Sequence, residues 1–180
     1  MKKKIAVLLA AVVFAALPSA ADAADKSAGL ANPIVEYETY EDAKKALGFA
    51  PLYLPKITGY DLYYVSIVGG DLADLSYRRS GQPNTEIRVR TALASANRKD
   101  DISGIYTDKW TDYVVKKLPV KACKLSDKIF AAHWKSDGYL FSVQSEGISY
   151  TEFINLLENG LVDIAVHYYP VDKSTVNTNL

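Results

Sequence analysis

The sequence predicts an α+β fold: a curved antiparallel β-sheet of five to seven strands, with an N-terminal and a C-terminal helix packed on one face. Three observations carry this reading. Residues 86–93 alternate Glu86, Arg88 and Arg90 with Ile87, Val89 and Thr91, the period-two pattern of a strand with one wet and one packed face. Gly69-Gly70-Asp71 and Ser136-Asp137-Gly138 separate β-branched and aromatic runs; such glycine turns suit hairpins, Asp-Gly above all. Helix-start signals fall at Thr39 and Ser149, on either side of the run of strands. That order gives an antiparallel sheet with helices on a face, not a parallel α/β fold.

The elements follow in chain order. Residues 1–23 read as a cleavable signal peptide. Lys2, Lys3 and Lys4 precede an uncharged apolar run over 5–17, and Ala21-Asp22-Ala23 is the small-x-small pattern of signal peptidase. The apolar run is shorter than the roughly 20 residues a bilayer span takes, so the mature chain is expected to begin near Ala24. Residues 24–31, small and polar, are expected to be a disordered mature N-terminus. A single α+β domain is expected over 32–169 and a flexible tail over 170–180.

Within the domain, Asn32-Pro33 opens an extended piece at 34–37. Thr39 is a fitting N-cap for a helix over 40–47, with Glu41 and Asp42 in its first turn, Lys44 and Lys45 near its end, and Gly48 just past it. Strands are expected at 60–68, 72–79, 86–93, 110–116, 120–125, 128–135 and 139–145. Residues 80–84 read as a turn and 97–106 as a polar loop. Ser149 with Glu152 three residues on forms a capping box. Phe153, Leu156, Leu157 and Leu161 supply the apolar stripe of the helix that follows. Asn159-Gly160 is a stop signal, and residues 161–169 fit either a strand or a continued helix.

Composition narrows the function. The leader takes three of the 21 basic residues and one of the 21 acidic ones, so the mature chain is slightly acidic. It has no basic footprint for nucleic acid. Cys123 is the only cysteine, so no internal disulfide is possible. No cysteine follows the leader's apolar run, which argues against the lipoprotein route. No long apolar stretch follows Leu17, so no transmembrane span is expected after cleavage. The expected location is periplasmic or secreted. Tyrosine stands out, with 13 against 5 Phe and 2 Trp; it suits half-buried, half-wet sheet positions and binding faces alike.

Several segments together resemble a known family. Asn32-Pro33-Ile34-Val35-Glu36-Tyr37, then Glu41-Asp42-Ala43, Leu47-Gly48-Phe49, Leu54-Pro55 and Gly59-Tyr60 resemble the opening of the bacterial domain-of-unknown-function family 4367. Ile87-Arg88-Val89-Arg90, leading to Asp101-Ile102-Ser103-Gly104, is similar to its most distinctive segment. Residues 132–138, with Trp134 before an Asp-Gly turn, add to the match. The resemblance spans residues 32–158 and implies an extracytoplasmic α+β domain. In related proteins this domain often follows a membrane segment, sometimes in anti-sigma-factor-like regulators. Ile105 stands where an acidic residue is more usual in the family. The family has no established catalytic residues, so none is carried over.

No catalytic or metal site emerges from the residues. His133 and His167 are the only histidines, and neither sits in a zinc-ligand pattern. Cys123 with His133 is the sole nucleophile–base pair available, and the simpler reading of Cys123 is a half-buried strand thiol. Asp100, Asp101 and Asp108 match no calcium loop. Asp101 instead suits an Asx-turn closed by Ser103-Gly104. The binding candidates are Arg88 and Arg90, which share a strand face able to take a carboxylate or phosphate, and Asp101, Ser103, Gly104 and Tyr106 in the following loop. The expected function is a non-enzymatic binding or protein-interaction domain without a cofactor. Its partner would be an envelope protein, a peptide or a cell-wall component. The alternatives are an envelope hydrolase with an unrecognised site and a structural accessory of an envelope assembly.

Overall fold

The computed structural model describes residues 33–96 and 99–168. The expected leader at 1–23, the expected disordered segment at 24–31 and the expected tail at 170–180 lie outside the described residues. The elements run β1 (Ile34–Glu36), α1 (Tyr40–Leu47), a 3₁₀ turn (Lys56–Thr58), β2 (Asp61–Val68), β3 (Leu72–Arg79), β4 (Gln82–Leu93), β5 (Thr111–Val115), β6 (Leu118–Lys124), β7 (Ile129–Ser136), β8 (Tyr139–Glu146), α2 (Tyr150–Leu156), a π-helical turn (Leu157–Leu161) and α3 (Val162–Tyr168). The class is α+β as expected. The sheet has eight strands, not five to seven, because the extended piece at 34–36 pairs with β2. β4 also begins at Gln82, so the turn over 80–84 shortens to the two residues between β3 and β4.

The local signals act as their chemistry dictates. The Thr39 hydroxyl accepts from the Asp42 N–H at 3.2 Å, and Gly48 ends α1 at φ 74°. The Ser149 hydroxyl accepts from the Glu152 N–H at 3.2 Å. Asn159-Gly160 does not stop the chain. Gly160 is buried, and so are Leu157, Leu161, Val162 and Ala165; packing holds the backbone helical where local propensity would release it. The π-turn inserts one residue into the helical repeat, which lets Val162 and Ala165 share one core with Phe153 and Leu156.

The strand order is β1-β2-β3-β4-β8-β7-β6-β5, antiparallel throughout. Two four-strand meanders therefore meet at β4 and β8, with Val89 opposite Val143. One face carries Val65, Ile67, Leu75, Tyr77, Ile87, Val89, Phe130, Ala132, Trp134, Phe141 and Val143, and buries them in one cluster with Ala43 of α1 and the C-terminal helical residues. Phe130 stacks on Phe153 at 5.4 Å and Trp134 on Phe141 at 5.5 Å.

The other face is polar but not open. The chain leaving β4 at the sheet centre must reach β5 at the far edge, four strand spacings or roughly 19 Å away. The described residues 94–96 and 99–110 lie on that crossing, over the polar face. Ile102 is buried with Leu72, Ala92 and Leu140. Asp100 pairs with Lys135 at 3.7 Å, and Trp110 meets His133 edge-on at 4.7 Å. Of the loop expected at 97–106, the described residues 99–106 form a strap, and beneath it Asp74, His133 and Ser142 are buried.

Candidate functional site

The structure brings most of the sequence-nominated residues together at the strap. Asp101 Oδ1 accepts from the Ser103 N–H at 2.8 Å, and the Ser103 hydroxyl accepts from the Ile105 N–H at 3.1 Å. This is the Asx-turn anticipated for Asp101, continued by a serine turn. Arg90 Nη1 donates to Ser103 O at 2.7 Å and Ile102 O at 3.3 Å. Its Nε and Nη2 both reach Asp74 Oδ2 at 3.0 Å. A Cβ on Gly104 would lie 2.7 Å from Arg90 Nη1, and Gly104 has φ 72°, so glycine admits the guanidinium. Arg88 lies 3.5 Å from Asp74 Oδ1 and 3.6 Å from Glu86 Oε1. Tyr106 is fully exposed and lines, with Asp101, Gly104 and Trp110, a surface pocket of about 560 Å³.

This arrangement binds protein to protein. The guanidinium of Arg90 is committed to Asp74 and the strap carbonyls, while Arg88 is partly exposed, with Asp74 and Glu86 at 3.5 and 3.6 Å. Cys123 and His133 lie on the same polar face of neighbouring strands, Cys123 opposite Ala131 and His133 opposite Lys121, with no hydrogen bond between them. Burial pushes the Cys123 thiol up from its ordinary value, the reverse of what a thiolate nucleophile needs. Burial also lowers His133, against the opposing pull of Asp101. Among the described residues no group of three or more His, Cys, Asp or Glu could hold a metal ion, and no helix is long and apolar enough to cross a membrane.

A different site emerges at the other end of the sheet. A pocket of about 520 Å³ opens between α1, the 3₁₀ turn and the start of β2, walled by Tyr40, Tyr53, Leu54, Tyr60, Leu62 and Tyr77. This is the size range of small-ligand sites. Three of the four tyrosine hydroxyls are occupied by protein. Tyr40 donates to Pro51 O at 2.7 Å, Tyr77 accepts from the Leu54 N–H at 3.2 Å, and Tyr60 donates to Glu152 Oε1 at 3.0 Å. Tyr53 is half-exposed and meets Tyr40 edge-on at 6.1 Å. The wall therefore presents ring faces and leucine side chains. Exposed Glu41, Lys44, Lys56 and Asp61 also line it; Lys44 is tied to Glu41 at 3.1 Å, and Lys56 and Asp61 have no ion-pair partner among the described residues. Arg79 backs the wall, its guanidinium 4.5 Å from the Tyr60 ring and paired with Glu152.

Burial pushes the Tyr40 and Tyr60 phenols up to about 12, with neighbouring Glu41 and Glu152 adding to the effect. The unfolded chain loses these protons near pH 10, whereas the fold keeps them to about pH 12. Folding stability is thus fully present below pH 10 and lost as pH rises through this window. Urea midpoints measured from pH 9 to 12 are expected to fall steeply, and Tyr40→Phe/Tyr60→Phe is expected to flatten that fall; an unchanged slope would refute the assignment.

The sequence flagged tyrosine richness but not this grouping. Its members sit on α1, the 50–60 segment and β3, and only the fold brings positions 40, 53, 60 and 77 together. Comparison with protein-family models, with curated proteins and with solved structures gave no match to the chain.

Proposed function

We propose that the chain is exported and acts as a non-enzymatic binding domain of the cell envelope, with the tyrosine-walled pocket as its binding site. The pocket carries the reading: a concave apolar wall whose hydroxyls are already satisfied binds by shape and burial. The leader pattern at 1–23 supports export. The resemblance to the domain-of-unknown-function family 4367 supports an extracytoplasmic setting. The hydrolase alternative is weaker, because burial raises the Cys123 thiol and Cys123 shares no hydrogen bond with His133.

Protein recovered from the envelope or medium of an exporting bacterium is expected to begin near Ala24. It is expected to bind the apolar dye anilinonaphthalene sulfonate saturably at one site. Leu62→Asp, at an exposed wall position, is expected to weaken the dye at least tenfold while thermal unfolding stays cooperative. Dye binding that the substitution leaves unchanged would overturn the assignment of the pocket.

A further inference from the structure

The edge of the sheet beside this pocket is unfinished. β1 pairs with β2 only over Ser66, Ile67 and Val68, and the Tyr37 N–H then donates to Val65 O at 2.9 Å. Beyond that, no strand among the described residues pairs with the outer edge of β2 over residues 61–64. This half of β2 is also the exposed half, with Asp61, Leu62 and Tyr63 open to solvent. A row of unpaired backbone donors and acceptors is a template for another strand.

Two further features lie along that edge. A register shift between Leu62 and Tyr64 marks a bulge. Tyr63 reaches Glu86 at 2.9 Å under the Arg78 guanidinium, while Leu62 lines the tyrosine-walled pocket. A second pocket of about 480 Å³ adjoins it, sharing Tyr40 and Leu62, and is lined by Glu36, Glu38, Tyr63 and Tyr64. The two form one groove between the stretch 36–44 and the free part of β2. Their chemistry differs. The first is an aromatic and leucine wall. The second contains two carboxylates and no basic residue: Glu36 accepts from Tyr64 at 3.0 Å, and Glu38 has no ion-pair partner among the described residues. Tyrosine faces beside carboxylates favour a cation.

We propose that this groove captures an extended peptide, which adds to β2 as a short strand in line with β1. An apolar side chain fills the tyrosine-walled pocket, and a Lys or Arg side chain lies against Glu36 and Glu38. The proposal rests on the pocket being a binding site and names what it binds. A peptide fits better than a lipid or a glycan, because only a peptide backbone carries the alternating donors and acceptors that the free edge of β2 lacks as partners. Leu62 lies opposite Tyr77 on the core face, whereas Glu36 lies opposite Ser66 on the polar face. Side chains alternate along a strand, so the apolar anchor and the basic residue are expected at adjacent positions, pointing to opposite sides.

The test is a random nonapeptide library displayed on phage and selected on the purified mature protein, with the Leu62→Asp protein as counter-selection. The expected yield is a family of sequences with an apolar residue next to a Lys or Arg. For a synthetic peptide of that family, N-methylation of one alternate set of backbone nitrogens is expected to weaken binding at least tenfold, and methylation of the other set to leave it within threefold. That asymmetry is the signature of strand addition and needs no protein variant. Glu36→Lys/Glu38→Lys is expected to cost at least tenfold. The proposal is overturned if no sequence enriches over the counter-selection, if enriched sequences lack a basic residue, or if both methylated sets bind alike. Should the dye bind the wild-type pocket while no peptide does, the pocket survives and the peptide assignment falls. Should neither bind, both fall.

Discussion

Gly147→Ala is expected to destabilise the domain by on the order of 3 kcal/mol, while Gly48→Ala costs about 1 kcal/mol. The two glycines have nearly the same backbone, φ 79° and φ 74°, so they share the strain that a Cβ brings in the left-handed region. They differ in surroundings. A Cβ on Gly48 meets nothing within 4 Å. One on Gly147 would sit 2.1 Å from Asn84 O and 3.1 Å from Thr85 Cα. Those are backbone atoms in β4, which cannot swing aside as a side chain could. Gly147 is also held by its N–H to Lys128 O at 2.9 Å, so a shift would disturb the β7 side too. Urea denaturation of the two variants isolates the clash from the φ strain; equal losses would show that β4 yields freely at Asn84.

The second large effect is at Asp74, where Asp74→Ala is expected to cost about 3 kcal/mol. Asp74 is buried beneath the strap and is the only carboxylate within ion-pair distance of Arg90 among the described residues. Its removal strands a guanidinium on a covered face, and an unpaired charge there costs more than the pair contributed. Asp74→Ala/Arg90→Met is therefore expected to be more stable than Asp74→Ala alone, because the orphaned charge goes with the arginine. Both variants lose the hydrogen bond to Ser103 O or the ion pair that orients it, so trypsin is expected to cut the strap faster at Lys99 or Lys109 than in the parent. If the double variant is no more stable than the single one, the charge is solvated and the pair is not structural.

What could be read from the chain depended on how local its physics is. α1 was legible to the residue, since Thr39, Asp42 and Gly48 act on their own backbone. β3 and the Asp-Gly turn before β8 were legible for the same reason. The β4–β8 ladder was not: alternation shows that residues 86–93 form a strand but does not say which strand lies beside it. The strap followed from that hidden pairing. Arg88 and Arg90 suggested an anion site because guanidinium forks suit carboxylate and phosphate, and Asp101, Ser103 and Gly104 were legible as an Asx-turn. Asp74, which pairs with Arg90, lies on β3. The π-turn escaped notice because Asn159-Gly160 is a true stop signal locally, overridden by the burial of Gly160 and its neighbours. The tyrosine pocket was visible only as composition.

The joining of two meanders at β4 and β8 also shapes how the chain reaches its native state. Each meander can zip from its own tight turns, but the seam between them waits for Ile87 to find Ser145, closing a long intervening stretch before any reward arrives. Search of that kind is slow, in the millisecond-to-second range typical of non-local β topologies. Until it ends, both inner strand edges lie bare to neighbouring chains, which makes crowding during synthesis the chief hazard for this molecule.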